Sequence, residues 1–179
     1  MLEKYNKWRV LKVFFDDPIT EGSGFQLREI SRKLKLAPIS IKRYLDELAK
    51  EDLIVKGRHR IHDYPIYWAN RSQENFRLLK KLNTILSIKE SGLLEFLNNQ
   101  CMPDVIVLFG STSRGEDTAE SDIDLFIESK ERALNLERFE KILKRKISLF
   151  FSEDYNKLSK ELKNNIINGV ILNGYLKVF

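Results

Sequence analysis

The first fifty residues carry their apolar positions at three- and four-residue steps. Trp8, Leu11 and Phe15, with Val10 and Phe14 beside them, predict a helix over Tyr5–Phe15, and Asp16-Asp17-Pro18 ends it because the residue before a proline avoids helix. Glu21 to Gly24 reads as a loop. Leu27, Ile30 and Leu34 predict a second helix over Leu27–Leu34, followed by a tight turn at Leu36-Ala37-Pro38. Pro38 suits the first turn of a third helix running to about Lys50. There Ile41, Leu45 and Leu48 form the buried stripe, with Tyr44 alongside, and Ser40, Lys42, Arg43 and Glu47 face out. The period then changes. Leu53-Ile54-Val55 and Ile66-Tyr67-Trp68 read as two strands around a hairpin tip at Gly57-Arg58-His59-Arg60.

A helical step returns at Phe76, Leu79, Leu82 and Leu86, with Leu78 and Ile85 widening the stripe, over Gln73–Ile88. This connector can pack on either neighbour or form the seam of a homodimer. A short helix over Gly92–Leu97 precedes Val105–Phe109, where five consecutive large apolar residues, three of them β-branched, predict a strand buried on both faces. Further strands are expected at Ile123–Ile127, Ile147–Phe151 and Val170–Leu172. Helices are expected over Leu134–Leu143 and Leu158–Ile167. No internal repeat or low-complexity tract interrupts the pattern.

Composition bounds the class. The chain has 179 residues, 42% hydrophobic and 32% charged, as expected of globular rather than disordered chains. Its longest apolar run is far too short to span a bilayer, and its first ten residues lack a signal-peptide core, so the cytoplasm is the expected compartment. The single cysteine, Cys101, excludes an intrachain disulfide and a cysteine-based zinc cluster, and reads as a buried or half-buried bystander. The formal charge of +5 is uneven: residues 1–70 hold 14 Lys+Arg against 10 Asp+Glu, and residues 71–179 hold 17 against 16. The excess in the first part favours a polyanion-binding module there.

Candidate chemistry concentrates between Val105 and Ile127. Asp122 and Asp124 are two apart, so on a strand beginning near Asp122 both carboxylates point to one face. Parallel carboxylates repel unless a cation lies between them, and Mg²⁺ takes carboxylate oxygens together with phosphates and waters. Gly110 and Ser111, at the end of the preceding strand, offer backbone N–H groups and a hydroxyl for phosphate. A helix starting near Ser111 would add its positive end.

These residues resemble a known family. Gly110-Ser111-Thr112-Ser113-Arg114-Gly115, followed by Ser121-Asp122-Ile123-Asp124-Leu125, is similar to the signature of the DNA polymerase β-like nucleotidyltransferase superfamily. The nearest branch is that of the minimal nucleotidyltransferases. The resemblance covers roughly Glu90–Phe179. It implies transfer of NMP from an NTP to a hydroxyl, with Mg²⁺ on Asp122 and Asp124, the triphosphate at Gly110 and Ser111, and Arg114 supporting the loop or the phosphates. That branch often pairs with small helical HEPN proteins as toxin–antitoxin modules. One position departs from the pattern. Members that transfer nucleotides usually carry a third carboxylate on the next strand, where this chain has Ser148. A serine hydroxyl replaces a carboxylate neither as a base nor as an anionic ligand. Glu128, Glu153 and Asp154 are the acids left to substitute.

The tract RKLKLAPISIKRYLDELAKEDLIVKG, within about residues 4–70, resembles the winged helix-turn-helix family. In that arrangement Ser40, Lys42 and Arg43 lie at the start of the recognition helix, towards base edges of duplex DNA, and Arg58 and Arg60 on the wing reach phosphates. His59 and His62 lack a third ligand nearby and do not suggest a metal site. Lys144-Arg145-Lys146 reads either as a solvated helix end or as an attraction for triphosphate. The expected fold class is α/β in the α+β sense: a winged helix over residues 1–70, a connector helix over 71–89, and a polymerase-β-like domain over 90–179 with a small mixed sheet flanked by helices. Two functions follow: a nucleotidyltransferase with a DNA-binding arm, or a DNA-binding regulator or antitoxin-like protein whose second domain binds nucleotide with weak or no transfer.

Overall fold

A computed structural model describes residues 5–16 and 24–178. The parts of the expected loop and helix end at Asp17-Pro18 and Glu21–Ser23 lie outside those residues. The chain divides into two compact units, Met1–Lys80 and Lys81–Phe179. The fold is mixed α and β, as the periodicities require.

In the first unit, α1 (Asn6–Asp16), α2 (Leu27–Leu34) and α3 (Pro38–Lys50) precede a hairpin of β1 (Ile54–Arg58) and β2 (Pro65–Ala69). The α2–α3 turn is tight for identifiable reasons. Lys35 takes a left-handed conformation, the Leu36 N–H bonds the Ser31 carbonyl, and Pro38 opens α3 without losing a helical hydrogen bond. Ile41, Leu45 and Leu48 are fully buried and join Val10, Phe14, Ile30 and Ile54 in one core. Ser40 and Glu47 on α3 are partly buried rather than turned fully out, unlike Lys42 and Arg43. Strand β1 also runs further than its apolar residues suggested. It pairs through Gly57 and Arg58, so the connection is the six-residue stretch 59–64. Gly57 permits this, since a Cβ there would collide with the Trp68 ring across the ladder. Phe25 adds a short antiparallel bridge to Tyr67.

Helix α4 (Glu74–Glu90) carries the chain from one unit into the other. Its expected stripe divides. Phe76 and Leu79 pack into the first core, Ile85 and Ile88 into that of the second unit, while Leu78, Leu82 and Leu86 stay exposed.

The second unit holds α5 (Leu93–Cys101), β3 (Val105–Phe109), β4 (Ile123–Glu128), α6 (Glu137–Leu143), β5 (Ile147–Ser152), α7 (Lys160–Ile167) and β6 (Val170–Gly174). The sheet order is β5-β4-β3-β6, with β4 and β5 parallel and the other pairs antiparallel. All five residues of β3 are buried because both faces are covered. Ile106 and Leu108 join Leu125, Ile127, Leu93, Leu97 and Phe139 on one side; Val107 and Phe109 join Phe126, Tyr155 and Ile166 on the other. Helix α6 starts three residues later than the apolar pattern suggested. Leu134 and Leu136 pack against the core without being helical, and the Asn135 side chain accepts the Glu137 N–H. Cys101 is buried, and that burial raises its thiol above the ordinary value, which suits an inert role.

Candidate functional site

The sheet register gathers the acids. Phe109, the last residue of β3, stands opposite Asp124, and Asp124 stands opposite Ser148 on β5. Asp122 immediately precedes β4, and its carboxylate accepts a hydrogen bond from the Ser148 hydroxyl at 3.2 Å. Alternation therefore sets Asp122, Asp124 and Ser148 on one face, that of Phe126 and Phe109. Burial first and the Asp122 charge second raise the Asp124 carboxyl above its ordinary value. Gly110 closes the other side. Its φ is +72°, and a Cβ built there would fall inside the contact radius of the Asp124 carboxylate oxygen. Only a glycine lets the loop pass this close.

The segment after Gly110 corrects one expectation. No α-helix starts at Ser111; a single 3₁₀ turn, Thr112–Arg114, ends at Gly115 in a left-handed conformation. The Thr112 hydroxyl bonds the Phe109 carbonyl and the Ser113 hydroxyl bonds the Gly110 carbonyl. The Arg114 and Glu116 N–H groups both bond the Ser111 carbonyl. The turn is thus self-satisfied and contributes no helix dipole of consequence. Among the described residues the Ser111 hydroxyl makes no hydrogen bond, unlike its two neighbours. Arg114 pairs with Glu116 at 2.8 Å on the surface, so it braces the loop.

Arg145 is also corrected. It is neither a solvated helix end nor a free cation: its guanidinium lies within 2.5 Å of the buried Asp117 carboxylate and donates to the Ser121 carbonyl at 3.4 Å. It ties the loop that leads into Asp122 to the α6–β5 turn. Sequence reading missed this pair because nothing local links Asp117 to Arg145.

The substitute acids lie at the wrong end of the sheet. Glu128 is four residues beyond Asp124 and Glu153 five beyond Ser148, about 13 and 16 Å at about 3.3 Å per strand residue. Glu128 accepts the Tyr155 N–H at 2.9 Å, and Asp154 accepts the Asn156 N–H at 2.8 Å. Among the described residues no group of three His, Cys, Asp or Glu is arranged to hold a metal. The donors that do converge are two carboxylates and one hydroxyl, all hard oxygens. That set fits one Mg²⁺ completed by phosphates and water.

In the first unit, Lys42 and Arg43 are exposed at the start of α3, with Ser40 beside them. Arg43 folds back on its own helix: it stacks over the Tyr44 ring at 4.9 Å, donates to the Tyr44 hydroxyl and approaches Glu47 at 3.8 Å. Arg58 pairs with Asp63 at 2.5 Å across the hairpin loop. Arg60 lies within that loop. His59 and His62 stack with Tyr64, and the His59 Nδ1 accepts the Ile61 and His62 N–H groups, so these rings shape the loop. Sequence reading missed Ile39, 80% exposed in the first turn of α3. Its place on the helix opposite Leu45 and Leu48 was legible from the 3.6-residue period.

Residues 92–174 match the model of the family described as Polymerase beta, Nucleotidyltransferase. The match covers just under half of the chain and contains Gly110, Ser111, Asp122, Asp124 and Ser148. No curated protein and no solved structure gives a significant match. No helix among the described residues is long and apolar enough to cross a membrane.

Proposed function

We propose that the second unit binds a nucleoside triphosphate with one Mg²⁺ and that its transfer of NMP to a hydroxyl is slow. The observation that carries this reading is the placement of Ser148 directly opposite Asp124 and hydrogen-bonded to Asp122. Asp122 and Asp124 hold the cation, the Gly110–Ser111 turn receives the phosphates, and Arg114 braces that turn. When bound, Mg²⁺ neutralises charge on the phosphate oxygens. The acceptor hydroxyl must still lose its proton, and the residue beside the two acids is neutral and already donating to one of them. Calorimetry with MgATP tests the site. Wild type binds, and Asp122→Asn/Asp124→Asn loses the heat of binding; equal affinity in both proteins would refute the assignment.

For the first unit we propose a winged helix-turn-helix that binds duplex DNA. Support comes from the tight α2–α3 turn, the exposed Lys42 and Arg43 at the start of α3, and the hairpin that follows. A nucleotide-binding domain joined to such a module suits a regulator or antitoxin-like protein as well as a weak transferase. The expected binding weakens steeply with salt, because each phosphate contact releases counterions. Lys42→Ala/Arg43→Ala and Arg58→Ala/Arg60→Ala should each lower both the affinity and the salt slope in a fluorescence titration. If neither pair changes either quantity, the module docks protein instead.

A further inference from the structure

Phe150 follows Ser148 by two residues on β5, so both side chains stand on the face of the sheet that carries Asp122 and Asp124. Phe109 and Phe126, on that same face, are 6% and 0% exposed, whereas Phe150 is 40% exposed. Its ring meets the Phe109 ring at an angle of 69°, with centroids 5.3 Å apart. Phe109 in turn stands opposite Asp124 and immediately precedes Gly110. A half-open aromatic surface therefore begins beside the turn and the acid pair. Single exposed apolar side chains are ordinary on protein surfaces. This one differs in being held by an edge contact to the residue that leads into the candidate phosphate turn.

The ligand such a ring suits is flat and aromatic. A nucleoside triphosphate anchored by its phosphates at Gly110–Ser111 carries one flat aromatic group, its base. We propose that Phe150 is the base platform of the nucleotide site, stacking the nucleobase while Asp122, Asp124 and the Gly110–Ser111 turn hold the phosphate end. This rests on the nucleotide reading above and adds to it the group that recognises the nucleoside. Stacking tolerates any base, since every base has a π-face, so the site discriminates little among ATP, GTP, CTP and UTP. It separates all four from phosphate alone.

Calorimetry on the full chain with two probes, MgATP and magnesium tripolyphosphate, tests this. Base stacking on an aromatic side chain contributes about 1–3 kcal/mol, so wild type should bind MgATP about 5- to 150-fold more tightly than tripolyphosphate. Phe150→Ala should bring the two affinities together by weakening MgATP alone. Phe150→Leu, which keeps apolar packing against Phe109 but lacks a flat face, should do the same. Phe150→Tyr should retain the preference. An unchanged preference in Phe150→Ala and Phe150→Leu overturns the platform, as does a wild type that binds both probes equally; in either case the phosphate site stands. A wild type that binds neither probe overturns the nucleotide reading itself, and the platform with it.

Discussion

Ser148→Asp is expected to raise the rate of nucleotide transfer by about 10²–10⁴, the usual contribution of a positioned general base. The register brings residue 148 opposite Asp124, and its hydroxyl already reaches Asp122, so a carboxylate there needs no backbone movement to join the pair. The same substitution puts three acids together. Without a cation they repel, so the variant should melt below wild type in EDTA and recover as Mg²⁺ is added. Transfer of label from α-labelled ATP to a hydroxyl acceptor reads the first effect, and thermal melts with and without Mg²⁺ read the second. Fast transfer by wild type, slowed by Ser148→Asp, would mean that a different group completes the site and that the neutral serine is not what limits it.

The second large effect belongs to Gly110. In Gly110→Ala the new Cβ would overlap the Asp124 carboxylate, which must move away from the turn. Misplacing a positioned group by about 1 Å can cost about 10²-fold in rate, so residual transfer should fall by that order and MgATP affinity should weaken with it. The φ of +72° adds backbone strain of about 1–2 kcal/mol. Gly92 provides the control: its φ is +79°, but an added Cβ meets nothing within 4 Å. Gly92→Ala should therefore lower stability in a denaturant titration and leave MgATP affinity intact. Equal loss of affinity in the two variants would mean that the effect acts through stability.

Much of this was legible in the sequence wherever a short-range rule governs. The run Val105–Phe109 and helix α2 follow from periodicity and the start of α3 from Pro38, and the structure reproduces these bounds. The two-residue spacing of Asp122 and Asp124 and the Gly110-Ser111 pair stand out because strand alternation and glycine stereochemistry are local. What escaped depends on partners far apart in the chain. The turn at Thr112–Arg114 stays short because its own hydroxyls and Ser111 satisfy it, a pattern the apolar period does not encode. Arg145 looked like one of three surface cations until the fold brought it to Asp117. Phe150 was one apolar residue of an expected strand; that β5 lies at the edge of the sheet and leaves it partly open depends on the sheet order. Glu128, Glu153 and Asp154 looked available in sequence, yet strand length carries them to the far end.

The most direct test is a crystal structure of the full chain grown with Mn²⁺ and a non-hydrolysable ATP analogue, with anomalous scattering used to locate the metal. One Mn²⁺ peak is expected between the Asp122 and Asp124 carboxylates, with the triphosphate against the Gly110–Ser111 turn. A metal bound elsewhere, or a triphosphate seated away from that turn, would contradict it.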